Sequence, residues 1–232
     1  MIFLYLVEEE DVETLRDCIQ KNKRIVQGKR GKLQWKRLSS REKDNDEAIC
    51  AFLNTIFSSA RILPMTILTN KFEVRGVKLS SPKSGYLFSY LYGLAFKRIM
   101  PFLSKTNSQA RVIIDKNSSN LQGLLLEYLK NVIPAITTLR SGFPHNNLVT
   151  LIDYGDMNDP CLQFADFIAG FSRKVCEGYL INKNKACGVC AIPLANSWNM
   201  FKSHHCLTLP NWKWEGLLYH PYSERRFHPQ LL

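Results

Sequence analysis

Between Asp159 and Arg173 the chain reads DPCLQFADFIAGFSR, and this segment limits the fold more than any other. Asp-Pro is the favoured order for a helix cap followed by its first turn. Leu162, Ala165, Ile168 and Ala169 then recur at the three- and four-residue offsets of a buried helix face. Ala165, Ala169 and Gly170 are small enough for close packing against a sheet. A helix so apolar must cover another layer. Two short apolar runs offer that layer: ARVIID at 110–115 and NLVTLIDYG at 147–155. Between them a polar turn, KNSSN, leads into Leu121, Leu124, Leu125, Tyr128 and Leu129 at helical spacing. Strand, helix, strand, helix joined by short turns is an α/β order, with helices over a mixed or parallel sheet.

The first half of the chain fits the same class. IFLYLV is continuously apolar, which suits a strand buried on both faces. Asp11 is placed to cap a helix that turns Leu15, Cys18 and Ile19 inward. A short strand is expected over Leu33–Arg37, and Ala48, Ile49, Phe52, Leu53, Ile56 and Phe57 predict a further helix. ILPMTIL is expected at a sheet edge, because Pro64 has no N–H for a ladder. Ser81-Pro82 opens another predicted helix, through Tyr86, Tyr90, Leu91, Leu94 and Phe96, which Pro101 ends. No glycine-rich phosphate loop or dinucleotide fingerprint is present in the sequence.

Length and composition agree. At 232 residues, 45% of them hydrophobic, the chain can build one large domain with a small appendage. We expect an α/β domain over 1–180 and a C-terminal extension over 181–232. Seven cysteines at irregular spacing argue against a disulfide scaffold and for a reducing compartment. The opening MIFLYLV runs straight into EEED, unlike a signal peptide. No apolar run approaches the length of a membrane span. The expectation is a soluble cytoplasmic protein with no membrane partner.

The formal charge of +11 is unevenly placed. From Lys21 to Lys43 there are ten Lys or Arg and a single acid, Glu42. Such a field suits nucleic-acid phosphates through counterion release, or an acidic protein surface; a plain solvated loop is the alternative. Trp35 lies within it, without the aromatic-basic repeat of a stacking platform.

Two carboxylates stand in apolar company. Asp115 ends the run Val112, Ile113, Ile114, and the carboxyl end of an α/β strand is where ligands gather. Asp166 sits among Leu162, Phe164, Phe167, Ile168 and Phe171. If buried, it needs a metal, a basic partner or a hydrogen-bond network; pairing with Arg173 or Lys174, or a place on the wet side of the helix, is the plainer outcome. A pair of Mg²⁺ or Mn²⁺ ions, about 4 Å apart, would employ such acids in phosphodiester hydrolysis. Two acids are too few; the others would come from Asp153, Asp156 or Asp159, or from Glu8, Glu9, Glu10 and Glu13 near the first strand, and Asp156 and Asp153 are the better candidates because Asp159 serves as a helix cap. The catalytic and metal candidates are therefore Asp115, Asp166 and Asp156.

RVIIDK, a helix, and then GDMNDPCLQFADFIAGFSR resemble domain of unknown function 3800 over about residues 1–180. The resemblance implies a ribonuclease H-like mixed sheet flanked by helices. It also implies that Asp115 and Asp166 match the acids holding divalent ions in nucleases of that fold. Family members usually open on a strand ending in Asp-Glu-Ser-Gly, which this chain lacks, and Lys32 in KLQWKRLS stands where a further family acid tends to lie. The expectation is a nuclease-like protein acting on phosphodiesters, its activity weak or lost through shortening or decay of the site. The alternative is a non-catalytic nucleic-acid-binding or protein-interaction module on the same fold.

After the last helical pattern, Cys187 and Cys190 form a C-x-x-C pair, and His204, His205 and Cys206 follow fourteen or more positions on. A structural zinc held by Cys187, Cys190, His204 and Cys206 is one reading; a redox pair or ordinary buried thiols is the other. Cys18, Cys50, Cys161 and Cys176 read as core thiols. The tail from Leu207 carries Trp212, Trp214, Tyr219, Tyr222 and Phe227, too aromatic for a free linker. It is expected to pack back on the domain or to form a homo-oligomer contact.

Overall fold

A computed structural model of the chain describes residues 2–28, 31–69, 95, 99, 102–103, 106–115, 149–156, 158–184, 192–204 and 217–220. Helix outweighs strand, in a mixed α/β arrangement. The helices predicted over 81–101 and 121–129 lie outside the described residues, apart from isolated positions.

Strand β1 (Ile2–Val7) runs antiparallel to β2 (Ile62–Thr69), in a register from Ile2↔Ile67 to Val7↔Ile62. Strand β5 (Leu217–His220) adds parallel to the other side of β2, from Thr66↔Leu217 to Thr69↔His220. The strand containing Pro64 is therefore central rather than at the edge. Among the described residues β5 pairs with β2 only from Thr66 onward, so that β1 alone is paired at Pro64 itself. Strands β3 (Ala110–Asp115) and β4 (Val149–Gly155) form a separate parallel pair. The residues between them are ample for the crossover that parallel strands require.

Helix α1 (Val12–Asn22) buries Leu15 and Ile19, while Asp11 accepts the Arg61 N–H instead of capping its own helix. After the short α2 (Ser40–Lys43), helix α3 (Asp46–Ser59) starts at Asn45, whose side chain accepts the Ala48 N–H. It buries Ile49, Phe52, Leu53, Ile56 and Phe57, the face its spacing predicts, with Ala48 only half-buried. Helix α4 (Pro160–Asn184) is capped by Asp159, whose Oδ1 accepts the Cys161 N–H at 2.8 Å. Phe164, Phe167, Ile168 and Phe171 enter one core with β1, α1 and α3. Helix α5 (Ala195–Ser203) brings Trp198 and Phe201 to that core. With β5, it builds two pieces of the stretch beyond residue 180 into the main body.

The start of α5 shows how distant residues complete a helix. Leu194, its N-cap, has a left-handed φ of 54° and no side-chain acceptor. Asp46, in the first turn of α3, fills that role. Its carboxylate accepts the N–H groups of Asn196 and Ser197 at 3.0 and 2.9 Å, and the buried Ser197 hydroxyl donates to its backbone carbonyl at 2.8 Å. Replacing Asp46 with alanine leaves both N–H groups without this acceptor. It is expected to lower stability by about 2 kcal/mol, read as a shifted urea midpoint at unchanged slope.

Candidate functional site

The described part of the basic stretch is folded against the core. Val26, Gln27, Leu33, Gln34 and Leu38 are buried at intervals, so the chain is tied to the core between its charges. Glu42, the one acid, closes the stretch on itself. Its Oε1 accepts the Gly28 N–H at 2.6 Å, and its Oε2 accepts both the N–H and the hydroxyl of Ser39. Ser39 Oγ accepts the Glu42 N–H in return, a complete capping box for α2. Arg24, Lys36, Arg37 and Arg41 are exposed, and Lys32 and Lys43 half-exposed. Among the described residues none of these six forms an ion pair, whereas Lys21 is paired with Asp17. Lys29 and Arg30 lie outside the described residues.

Leu33–Arg37 does not form the expected strand. The backbone is extended at Gln34 and then makes a 3-10 turn over Trp35–Arg37. Side chains of α4 take the place of a neighbouring strand. Leu33 N–H donates to Gln163 Oε1 at 2.7 Å, and Trp35 N–H donates to Asp166 Oδ2 at 3.1 Å. Gln163 is buried and spends its own amide on the Asn158 carbonyl at 3.1 Å. The Trp35 indole lies over Gly170, so near that a Cβ there would come within 2.1 Å of the ring. It packs edge-on to Phe167 at 5.5 Å. The small residue on α4 thus serves a tryptophan, not a sheet.

Asp166 is exposed, so the burial that would demand a metal or a cationic partner is not met. The reason is helical period: Phe164, Phe167, Ile168 and Phe171 turn inward and carry Asp166 outward. Neither cation near it in sequence is its partner, since Arg173 pairs with Glu177 and Lys174 with Asp44. The contacts that Gln163 and Gly170 make with Leu33 and Trp35 are not evident from the sequence. The available signal was their spacing with Asp166, at i, i+3 and i+7 on one helical face.

Asp115 closes β3 opposite Gly155, the last residue of β4, and Asp156 follows at once. Both acids thus leave the carboxyl end of the same parallel pair. Asp153 lies within β4, opposite Ile113. Asp156 is exposed and builds a local turn, its Oδ1 accepting the Asn158 N–H at 2.9 Å and its Oδ2 the Asn158 side-chain amide at 3.1 Å. These donors, the backbone one first, hold its carboxyl below the usual range, and the charge of Lys32 acts in the same direction. Asp159, besides capping α4, pairs with Arg16 at 2.7 Å. Oxygen donors of this kind suit Mg²⁺ or Mn²⁺. Asp156 and Asp159 are engaged by the fold itself, and among the described residues no three His, Cys, Asp or Glu gather.

Of the zinc candidates, Cys187, Cys190 and Cys206 lie outside the described residues, as does His205. His204 follows α5 and stacks on Phe57, with ring centroids 4.4 Å apart and planes within 6°. Burial pushes its imidazole below the ordinary value. Burial also raises the thiols of Cys161 to about 11 and Cys176 to about 12, which leaves both protonated and unreactive at neutral pH. Among the described residues no helix is long and apolar enough to cross a membrane. No family model, curated protein or solved structure matches the chain.

Proposed function

We propose that this chain is a nuclease-like protein of the ribonuclease H class that engages nucleic-acid phosphates through its Lys21–Lys43 face, with divalent-metal hydrolysis weak or lost. The observation that carries the binding half is the internal use of Glu42. The only acid in the stretch accepts from Gly28 and Ser39, and six cations are without ion-pair partners among the described residues. The resemblance to domain of unknown function 3800 supports the nuclease half, as does the departure of Asp115 and Asp156 from one end of a parallel strand pair. No hydrolytic step is assigned to Asp166, whose carboxylate accepts the Trp35 N–H. In the same reading, structural zinc falls to Cys187, Cys190, His204 and Cys206. His204, stacked on Phe57, would supply the imidazole ligand beside the thiolates.

Binding of labelled single-stranded and duplex DNA and RNA across a salt series tests the first half. The logarithm of affinity is expected to fall linearly with the logarithm of salt, by about 0.9 per phosphate contact on duplex DNA. Salt-independent binding, or none at low salt, removes the phosphate reading and favours an apolar protein interface. Cleavage with Mg²⁺ or Mn²⁺ that both D115N and D156N abolish establishes residual hydrolysis. Binding without cleavage under either metal leaves a non-catalytic module.

A further inference from the structure

We propose that Gln163, Asp166 and Gly170 form a dock on α4 that positions the cations of residues 32–37 for nucleic-acid phosphate, so that Asp166 is a positioning residue and not a metal ligand. The inference rests on the nucleic-acid reading above and deepens it.

The dock has three elements on one helical stripe. Gln163, buried, takes the Leu33 N–H at 2.7 Å and is itself fixed by its bond to the Asn158 carbonyl. Asp166, one turn on, takes the Trp35 N–H at 3.1 Å. Gly170, a further turn on, lets the Trp35 ring lie directly on the helix backbone, where any Cβ would collide with it. Leu33 is fully buried and Trp35 packs edge-on to Phe167 and Phe171. The backbone is thereby held on both sides of Gln34. Lys32 precedes the first fixed residue, and Lys36 and Arg37 follow the last. Lysine and arginine side chains carry large rotamer entropy. A fixed backbone sets where these three side chains are rooted and so limits the volume their charges can sample.

This role differs in sign from plain electrostatics. Asp166 is an acid beside a basic face, so its removal should by charge alone tighten binding to a polyanion. Positioning predicts the opposite for alanine and not for asparagine. The D166N side chain keeps a carbonyl oxygen to accept the Trp35 N–H, while a neutral amide is a poor ligand for Mg²⁺. Gly170→Ala changes no charge and acts only by displacing Trp35.

The test uses the full chain and a labelled mixed-sequence single-stranded oligonucleotide, with salt-dependent affinity, amide exchange at Leu33 and Trp35, and thermal melting. D166N is expected to bind as tightly as wild type, or more tightly, with both amides protected. D166A and G170A are expected to bind more weakly, to lose about one or two units of salt slope, and to exchange faster at Trp35. D166A should do so at a melting temperature close to wild type, since an exposed hydrogen bond contributes little to global stability. Equal tightening by D166A and D166N overturns the proposal, as does Trp35 protection that D166A leaves unchanged. Wild-type protein that ignores the oligonucleotide at low salt, yet loses Trp35 protection in D166A, overturns the nucleic-acid reading and this role with it. The dock then stands as architecture alone.

Discussion

Phe164→Ala is expected to destabilise the protein by about 4 kcal/mol, a large share of the roughly 5–15 kcal/mol that holds a domain of ordinary stability together. Phe164 is fully buried and stands where β1, α3 and α4 meet. Its ring is edge-on to Tyr5 at 5.7 Å and to Phe52 and Phe57, each at 6.2 Å. Alanine removes the transfer free energy of the ring, the edge-to-face terms with three neighbours, and the packing that those neighbours share. Rigid helices on either side limit collapse into the space, so most of the cavity cost persists. Tyr5 gives a local readout. Its hydroxyl donates to the Cys161 carbonyl at 3.0 Å, and burial raises its ionisation well above the ordinary value. A loosened core should bring that ionisation back down. Urea unfolding followed by circular dichroism measures the main effect. Phe164→Leu should recover well over half of the loss, because it fills most of the volume. A midpoint unmoved by the alanine variant would show that α4 does not pack as described.

The helices were legible because their evidence is local. The spacing of Ile49, Phe52, Leu53, Ile56 and Phe57 picks out the buried face of α3, and Asp159-Pro160 marks the start of α4 within one residue. The parallel pair was legible as two apolar runs, each with its acid at or beside the carboxyl end. The order of the other sheet was not legible. Nothing local in Leu217–His220 specifies β2, some 150 positions earlier, as its partner. Pro64 suggests an edge because a sequence records the missing N–H but not where a third strand begins. The stretch at Leu33–Arg37 has strand-like composition, but its hydrogen-bond partners come from a helix more than a hundred positions away.

Asp166 shows the same limit at the candidate site. Its neighbours in sequence are aromatic, and adjacency suggests burial. At about 100° per residue, however, neighbours along a helix are not neighbours in space. The carboxylate lies outside the core and meets Trp35 instead. Charge was easier to read than geometry. The excess of cations from Lys21 to Lys43 is plain in the sequence, whereas the internal use of Glu42 depends on how Gly28 and Ser39 are brought to it.

Removing Lys32, Lys36, Arg37 and Arg41 together should weaken oligonucleotide binding by roughly a thousandfold near physiological salt and flatten the salt slope by about four units. Each phosphate contact on duplex DNA contributes close to one unit, so four lost contacts account for a change of about four units. Folding should be little affected, since Lys36, Arg37 and Arg41 are exposed and none of the four forms an ion pair among the described residues. Lys21→Ala is the internal control. It removes a cation from the same stretch of sequence, but one already opposed by Asp17 at 3.2 Å, and should change the slope far less. Lys32 adds a second, independent readout. Its charge helps to hold the Asp156 carboxyl low, so its loss should raise that ionisation, measurable by carbon chemical shifts against pH. The four charges are the binding surface if the slope falls in the quadruple variant and holds in Lys21→Ala. If both variants lose slope in proportion to charge removed, the protein attracts polyanions by its net charge alone, and the fold of the stretch is irrelevant to binding.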